Sequence, residues 1–181
     1  MKKLTIIILF LQLIIESCYK AQPEPTNLKL PELSMLGANT FGCLANDLVW
    51  KNDGNRKGPY SSTVKNEIFA LFYLYQKKDN SVLNIYGQMT YSNTDQKLGM
   101  TVYNKDLLKT GTFPISKAYF EDFLLSKKYD LIDTLNPPLI KIMKLDTISK
   151  IASGTFEGTI YTKNKQENMT ITNGRFDVKL K

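Results

Sequence analysis

The sequence predicts an all-β protein, mainly an antiparallel sandwich or barrel of about eight to ten strands, preceded by a signal peptide and a proline-containing tether. Two observations carry this prediction. Apolar residues alternate with polar ones over 82–91 and again over 98–102, which is the period of a strand with one buried face. Turn-forming residues recur about every 8–12 positions, as they do in sandwiches and barrels.

The composition is that of a globular protein and excludes several kinds of chemistry. The chain has 181 residues, with 24 Lys+Arg against 17 Asp+Glu and 43% apolar residues. This length favours one domain. There is no histidine, which excludes histidine-based catalytic arrangements and histidine metal ligands. No motif pairs the carboxylates for acid–base work, so we expect no catalytic residues, no cofactor and no metal site.

Residues 1–17 have the pattern of a secretory signal peptide. Lys2 and Lys3 precede an apolar run over 4–15, in which only Thr5 and Gln12 are polar. This run is too short for a membrane-spanning helix, which needs about 20 apolar residues. We therefore expect residues 1–17 to direct export and to be removed.

The apolar run ends in Ile15-Glu16-Ser17-Cys18, which resembles the lipobox of bacterial lipoproteins. In that family the cysteine thiol receives diacylglycerol, and the chain is cut just before the cysteine. The resemblance implies that Cys18 is lipidated and attaches the protein to a membrane. The alternative is an ordinary signal peptide followed by an unmodified cysteine.

Residues 18–36 are predicted to form a tether, because they contain Pro23, Pro25 and Pro31 and show no regular period. The leucines scattered over 28–35 are candidates for docking on the domain. If Cys18 carries a lipid, Cys43 has no partner. Its apolar neighbours predict a buried, reduced thiol.

The β domain is predicted to span residues 37–181. Residues 40–45 and 48–51 flank Asn46-Asp47, which predicts a two-residue hairpin turn. We expect this turn to be distorted, because Asp47 suits a positive φ less well than glycine does. A loop is predicted over 52–59. Residues 64–75 form the longest apolar run and are predicted to be one strand, apolar on both faces towards its end.

The segment 116–135 allows two interpretations. One is a short helix that starts after Ser116. The other is a strand, a turn at 126–128 and a second strand. Pro137-Pro138 ends this segment, and residues 139–145 and 151–161 are then predicted to be strands.

Along the final predicted strand, the apolar residues change from odd-numbered to even-numbered positions. Apolar residues occupy odd positions up to Ile171 and even positions from Phe176 onwards. A strand that keeps one face to the core needs one extra residue to do this, which predicts a β-bulge near Asn173-Gly174 with Gly174 at positive φ. The rival is a tight Asn-Gly hairpin.

Three stretches resemble a known family when taken together: GANTFGC at 37–43, SGTF at 153–156 and NGRFDV at 173–178. They are similar to a family of uncharacterised lipoproteins of Bacteroidota-type Gram-negative bacteria, known as a domain of unknown function. The resemblance covers roughly residues 36–180. It implies a lipid-anchored, mostly β domain in the cell envelope, and it brings no agreed activity and no catalytic residues.

Two sets of side chains are candidates for a site. Arg175 and Asp177 lie two apart on one strand face and are expected to brace a neighbouring strand or loop by an ion pair; ligand binding is the alternative. A candidate aromatic binding face comprises Tyr73, Tyr75, Tyr86, Tyr91 and Tyr103. The alternative for these tyrosines is an ordinary role in the core and in cross-strand pairs.

These features predict a lipid-anchored envelope protein that acts as a non-catalytic binding or structural module. We expect it at the outer membrane on the periplasmic side, since residues 19–22 lack the acidic cluster of a surface-export signal. Its expected partners are the membrane, through Cys18, and an unknown protein, glycan or small molecule. Nucleic acid is not expected, because no recognition motif is present.

Two other functions stay open: a carrier of a small apolar or aromatic ligand inside a β-barrel, and an enzyme with an unrecognised site. A closed interior cavity would favour the carrier. A flat exposed aromatic face would favour a protein or glycan partner, and a cleft with convergent carboxylates would favour the enzyme.

Overall fold

The computed structural model describes residues 23, 25–57, 63–75 and 80–181. These residues form fourteen β-strands and no helix, which confirms the all-β prediction. The predicted signal peptide and Cys18 lie outside the described residues. The strands are β1 (Thr40–Ala45), β2 (Leu48–Lys51), β3 (Asp53–Lys57), β4 (Thr63–Lys65), β5 (Phe69–Tyr75), β6 (Asn80–Tyr91), β7 (Thr94–Asn104), β8 (Gly111–Pro114), β9 (Lys117–Asp122), β10 (Lys127–Tyr129), β11 (Leu131–Ile132), β12 (Leu139–Asp146), β13 (Ile151–Tyr161) and β14 (Asn168–Lys179).

The strands form two sheets that face each other as a sandwich. The first sheet has the order β2-β1-β14-β13-β12-β8, with β11 paired to β13. The second sheet has the order β10-β9-β7-β6-β3-β4, with β5 paired to β6. Between β3 and β6 the pairing is parallel and short, at Asp53↔Met89 and Gly54↔Thr90. The other ladders of the described strands are antiparallel, as predicted.

One hydrophobic core lies between the two sheets. The alternating residues predicted to face it do so: Leu83, Ile85, Met89 and Tyr91 on β6, and Leu98, Met100 and Val102 on β7. In the first sheet, the Phe41 ring meets the Trp50 ring edge-on, with centroids 5.5 Å apart. The Phe156 ring lies 5.4 Å from Phe41 on its other side. These large rings fill the space that two sheets about 10 Å apart must close.

The structure has more strands than the sequence predicts, partly because β8 and β11 are additional short strands and partly because two segments around Asn66 are organised differently. Residues 53–57, predicted as loop, form β3, and the predicted strand 64–75 is divided into β4 and β5. Asn66 lies at the break, where its side-chain amide donates to the Asp53 carbonyl (2.9 Å) and to the Thr90 hydroxyl (3.0 Å). A buried amide needs such partners, so the backbone leaves the ladder there.

The short-helix interpretation of 116–135 is wrong. The segment contains β9, β10 and β11, and a turn at residues 123–126 joins the first two of these strands. The Asp122 carboxylate accepts a hydrogen bond from the Leu125 amide (2.9 Å), and Ser126 takes a positive φ of 52°. An Asp side chain that bonds to the backbone just ahead of it favours a turn over a helix.

The Asn46-Asp47 hairpin turn is present and regular. Both residues have positive φ, 47° and 65°, which is the geometry of a type I′ turn. The expected distortion is therefore absent. The Asn46 side chain also accepts a hydrogen bond from the Thr170 amide (2.8 Å) and so ties the turn to β14.

Cys43 is fully buried in the core, as predicted. Burial raises the pKa of its thiol to about 12. Because the thiolate is the nucleophilic form, the thiol stays protonated and unreactive at neutral pH.

The bulge in β14 is confirmed by the register of β1. Gly42 is opposite Arg175, and Leu44 is opposite Thr172. Two residues of β14, 173 and 174, therefore oppose the single residue between Gly42 and Leu44. This is the definition of a bulge, and it produces the change of parity seen in the sequence.

The predicted roles of the two bulge residues are corrected by the structure. Asn173 takes the positive φ (51°), and Gly174 does not. Asn adopts this conformation more readily than other side chains do. Gly174 serves a different purpose: a Cβ there would lie 2.3 Å from the Phe156 carbonyl oxygen and 2.7 Å from the Phe156 ring. Glycine is therefore needed at 174 for close packing of β14 on β13.

We predict that Gly174→Ala destabilises the protein by about 1–3 kcal/mol, because the added methyl group overpacks a contact with backbone that cannot move away. The matched control is Asn173→Gly, which we expect to change the free energy of unfolding by less than about 1 kcal/mol. Urea unfolding midpoints measure both effects. Equal midpoints for Gly174→Ala and wild type would show that a side chain at position 174 fits beside Phe156, and would contradict this prediction.

Candidate functional site

The outer face of the second sheet carries rows of aromatic side chains. Residues opposite each other on neighbouring strands share a face, so strand pairing defines the rows. Phe69 of β5 is opposite Tyr86 of β6. In a second row, Val82 of β6 lies between Tyr73 of β5 and Tyr103 of β7.

The first row is a stack of rings and ammonium groups. The rings of Phe69 and Tyr86 stack with centroids 4.6 Å apart and planes inclined by 22°. The Lys97 ammonium lies 4.7 Å from the centroid of Tyr86 and 6.0 Å from that of Tyr119. At the other end, the Lys181 ammonium lies 5.3 Å from the centroid of Phe69. Such cation–π contacts hold the rings in place.

The second row presents its tyrosines to solvent. Tyr73 is 45% exposed and Tyr103 is 44% exposed, while Val82 between them is buried. Neighbouring strands are about 4.8 Å apart, so the two tyrosines project from backbones roughly 10 Å apart. The Tyr103 hydroxyl accepts a hydrogen bond from the Asn80 side chain at 2.7 Å, which orients its ring. The result is a pair of accessible rings on a rigid base.

Strand β5 lies at an edge of the second sheet, where it pairs with β6, and most of its side chains are apolar. Its sequence, FALFYLY, contains no charge and no proline. It pairs with β6 along one side. On its other side, within the described ranges, the Lys181 amide donates to the Ala70 carbonyl. Exposed apolar strand edges are sites where another extended chain can pair.

The structure divides the five predicted tyrosines. Tyr73, Tyr86 and Tyr103 share the outer face of the second sheet. Tyr91 does not belong to this face: it is 3% exposed and points into the core, because its odd position puts it on the opposite side of β6. The side chain of Tyr75 lies outside the described residues.

Sequence analysis missed three members of the face: Phe69, Lys97 and Tyr119. The sequence predicts strands in these regions, but it does not predict how the strands align with one another. The signal that was available is parity, since Phe69 and Tyr73 share the odd positions of one predicted strand. Lys97 and Tyr119 join the face only through the pairing of β7 with β6 and with β9.

The first sheet carries the other predicted residue pair, at the point where the tether crosses it. Asp177 is 1% exposed. Its carboxylate accepts hydrogen bonds from the Gly37 amide (2.8 Å), the Ala38 amide (3.0 Å), the Leu36 amide (3.1 Å) and the Ser34 hydroxyl. We refer to Asp177 and these four donors as the clasp. A buried carboxylate is stable when it accepts this many hydrogen bonds.

Arg175 binds the same tether further upstream. Its guanidinium donates to the Pro31 carbonyl at 3.0 Å. A Cβ on Gly42 would lie 2.9 Å from the Pro31 ring, so glycine at 42 lets the tether lie close to β1. Leu28 packs against the core. Arg175 and Asp177 thus brace the tether through its backbone, and the salt bridges among the described residues include neither of them.

The pKa of Asp177 reflects this environment. Burial raises it, but the hydrogen bonds from Ala38, Ser34, Gly37 and Leu36 outweigh burial and hold the pKa below the ordinary value of 3.8. The carboxylate is therefore charged at neutral pH. The negative charge of this carboxylate strengthens the hydrogen bonds of the clasp.

Two spaces lie beside the hydrophobic core. One, next to Leu98, Met100 and Phe156, measures about 10 Å³, which is room for about one water molecule. The other measures about 350 Å³ and is lined by core residues of both sheets, among them Trp50, Met89 and Phe120. The second space falls within the size range of small-molecule sites, so a carrier of a small ligand stays an open alternative.

Comparisons with protein-family models, with curated proteins and with solved structures found no match to this chain. In the part of the chain that the structure describes, no helix is long and apolar enough to cross a membrane. Nor do three or more His, Cys, Asp or Glu side chains come together there in a group that could hold a metal ion. The geometry of the second sheet and of the clasp is the basis for a functional proposal.

We predict that Asp177→Asn lowers the free energy of unfolding at pH 7 by about 2–3 kcal/mol, because an amide cannot accept the backbone hydrogen bonds of the clasp without presenting an N–H group to them. Since the pKa of Asp177 is lowered by folding, its stabilisation is complete above the unfolded pKa of about 3.9 and is lost as the pH falls through the folded value. The difference between the two proteins should therefore shrink below about pH 4.

Urea unfolding at pH 7, 5 and 3 measures this difference. Glu157→Gln is the matched control, because Glu157 is an exposed carboxylate on the same sheet. Equal stability of Asp177→Asn and wild type at pH 7, or a difference that does not change with pH, would contradict the role given to the clasp.

Proposed function

We propose that this protein is a lipid-anchored cell-envelope protein whose β-sandwich acts as a non-catalytic binding module. Its binding surface is the outer face of the second sheet. The observation that carries this proposal is the exposed pair Tyr73 and Tyr103, held on either side of Val82. Membership of the uncharacterised lipoprotein family, and a location on the periplasmic side of the outer membrane, belong to the same proposal.

A protein partner fits this surface best. Apolar side chains neighbour the exposed tyrosines on this face, with Val82 between the two rings and Leu71 beside Tyr73. Tyrosine is enriched at the centres of protein interfaces. The adjoining edge of β5 offers backbone groups to which an extended segment of the partner can add as a strand.

The surface is also preorganised. The stack of Phe69, Tyr86 and Lys97 orders the first row, and the hydrogen bond from Asn80 orients the Tyr103 ring in the second. Tyrosine adds large contact area at a small cost in conformational entropy. A rigid aromatic surface loses little freedom on binding, which favours affinity.

The anchor supports a function close to the bilayer. Leu28, which packs on the core, lies ten positions after Cys18. Ten extended residues span at most about 36 Å. Lipidation of Cys18 would hold the domain within that distance of the membrane, with one face occupied by the tether and the opposite face available to a partner.

We predict that the mature protein begins at Cys18 and carries lipid on its thiol. Intact-mass analysis of protein purified from its own membrane should give the mass of residues 18–181 plus acyl chains. Cys18→Ser should remove the lipid and leave the signal peptide uncleaved by the lipoprotein route. A mature N-terminus elsewhere, with a free thiol at Cys18, would overturn the anchor.

We predict that a protein partner contacts Tyr73 and Tyr103. Replacing either residue with photoreactive p-benzoylphenylalanine and illuminating intact cells should give one discrete protein adduct, identified by mass spectrometry. The matched control is the same substitution at the exposed Ile148, in the turn between β12 and β13 on the first sheet. An adduct of equal yield from position 148, or a glycan adduct that resists protease, would reject a protein partner.

A further inference from the structure

A cleft of about 660 Å³ lies at the end of the sandwich where β1 begins and β14 ends. Its walls are the tether at residues 29–31, the start of β1, the turn into β3, the segment between β4 and β5, and residues 179–181. Small-molecule sites have volumes of about 300–1,000 Å³. This cleft is separate from the clasp, none of whose residues lines it. It adjoins the outer face of the second sheet, because Lys181 lines the cleft and also lies over the Phe69 ring.

Five lysines from distant parts of the chain line the cleft: Lys29, Lys51, Lys65, Lys179 and Lys181. Two of them have carboxylate partners. Lys51 pairs with Asp53 at 2.7 Å, and Lys181 pairs with Glu67 at 3.4 Å. The fold brings these five lysines to one cleft from four parts of the sequence, since only Lys179 and Lys181 are close together along the chain.

The other three lysines, Lys29, Lys65 and Lys179, have no salt bridge within the described ranges. Like charges gathered in a concave surface with low-dielectric walls focus a positive potential and attract anions. The positive charge in this cleft therefore exceeds what its own carboxylates neutralise. A ligand with several negative charges would supply the balance.

Two buried acceptors line the same cleft. The Asn66 amide nitrogen is held by the Asp53 carbonyl and the Thr90 hydroxyl, so the side chain cannot turn over. Its carbonyl oxygen has no hydrogen-bond partner in the described part of the protein, and neither has the Thr40 hydroxyl. Of these two atoms, only the Thr40 hydroxyl can donate a hydrogen bond to an anion, because the Asn66 carbonyl oxygen is solely an acceptor.

We propose that this cleft binds a phosphate-bearing ligand, with Lys29, Lys65 and Lys179 as its charge contacts. The choice of phosphate follows from the residue type. Lysine binds phosphate as a point charge, and one phosphate monoester carries about two negative charges, which several lysines without a salt bridge can balance. The tether enters the domain at this same end, so the phosphate belongs either to a lipid headgroup or to a soluble phosphate ester.

Lysine reactivity tests the proposal and separates the two sources. Mature protein in neutral detergent is treated briefly with an amine-reactive reagent, with and without tripolyphosphate, and labelling is read for each lysine by peptide mass spectrometry. Tripolyphosphate should slow labelling of Lys65 and Lys179 at least fivefold. It should leave Lys109 and Lys163 unchanged, since these exposed lysines lie outside the cleft.

The second arm uses protein reconstituted in phosphatidylcholine vesicles with or without phosphatidylglycerol. Protection of Lys65 and Lys179 by phosphatidylglycerol identifies a lipid headgroup, and protection by tripolyphosphate alone identifies a soluble phosphate ester. Unchanged labelling in both arms, or equal protection of Lys109 and Lys163, would overturn the proposal. The detergent arm needs neither the lipid anchor nor the tyrosine face, so its failure is distinct from failure of the proposed function.

A pair of double variants gives an independent measurement. Lys65→Gln combined with Lys179→Gln should weaken tripolyphosphate binding at least tenfold by titration calorimetry. Lys109→Gln combined with Lys163→Gln should bind as wild type does. All four lysines are exposed, so equal urea midpoints are expected and will show that the comparison reports binding and not folding. Equal affinities for the two double variants would refute the assignment.

Discussion

The arrangement of the molecule depends on the hydrogen bonds that the buried carboxylate of Asp177 accepts. A charged group so deeply buried would be strongly unfavourable without compensation, and the clasp supplies it with three backbone amides and a hydroxyl. These donors belong to the residues that lead into β1. The same contact therefore fixes where the tether leaves the domain, where β1 begins and how one wall of the lysine cleft is placed.

The two faces of the sandwich are used differently as a result. On the first sheet, the tether covers β14 and β13 so closely that Ser153, an outward-facing residue opposite Asp177, is fully buried. On the second sheet, the corresponding face presents Tyr73 and Tyr103 to solvent. The proposed attachment and the proposed recognition would use opposite surfaces of the sandwich.

What the sequence predicts well is local. Alternation identified the core faces of β6 and β7, and a change of parity identified the bulge in β14. The sequence does not predict strand register or long-range pairing. For example, β3 joins the second sheet through a two-residue parallel contact with β6, and no periodicity in the sequence indicates this contact. The grouping of Tyr91 with the other tyrosines is a different error, because parity within β6 already puts Tyr91 on the core face and Tyr86 on the opposite one. The lysine cleft, assembled from five segments, has no sequence signal.

The extra residue in β14 has a consequence for tracing relatives of this protein. Because the bulge at Asn173 reverses the parity of everything after it, Arg175 and Asp177 point to the tether while Phe176 and Val178 fill the core. Loss of one residue between Ile171 and Asp177 would exchange these two sets. Any homologue that attaches its tether in the same way must therefore conserve this interval in length, even where the residues within it have diverged.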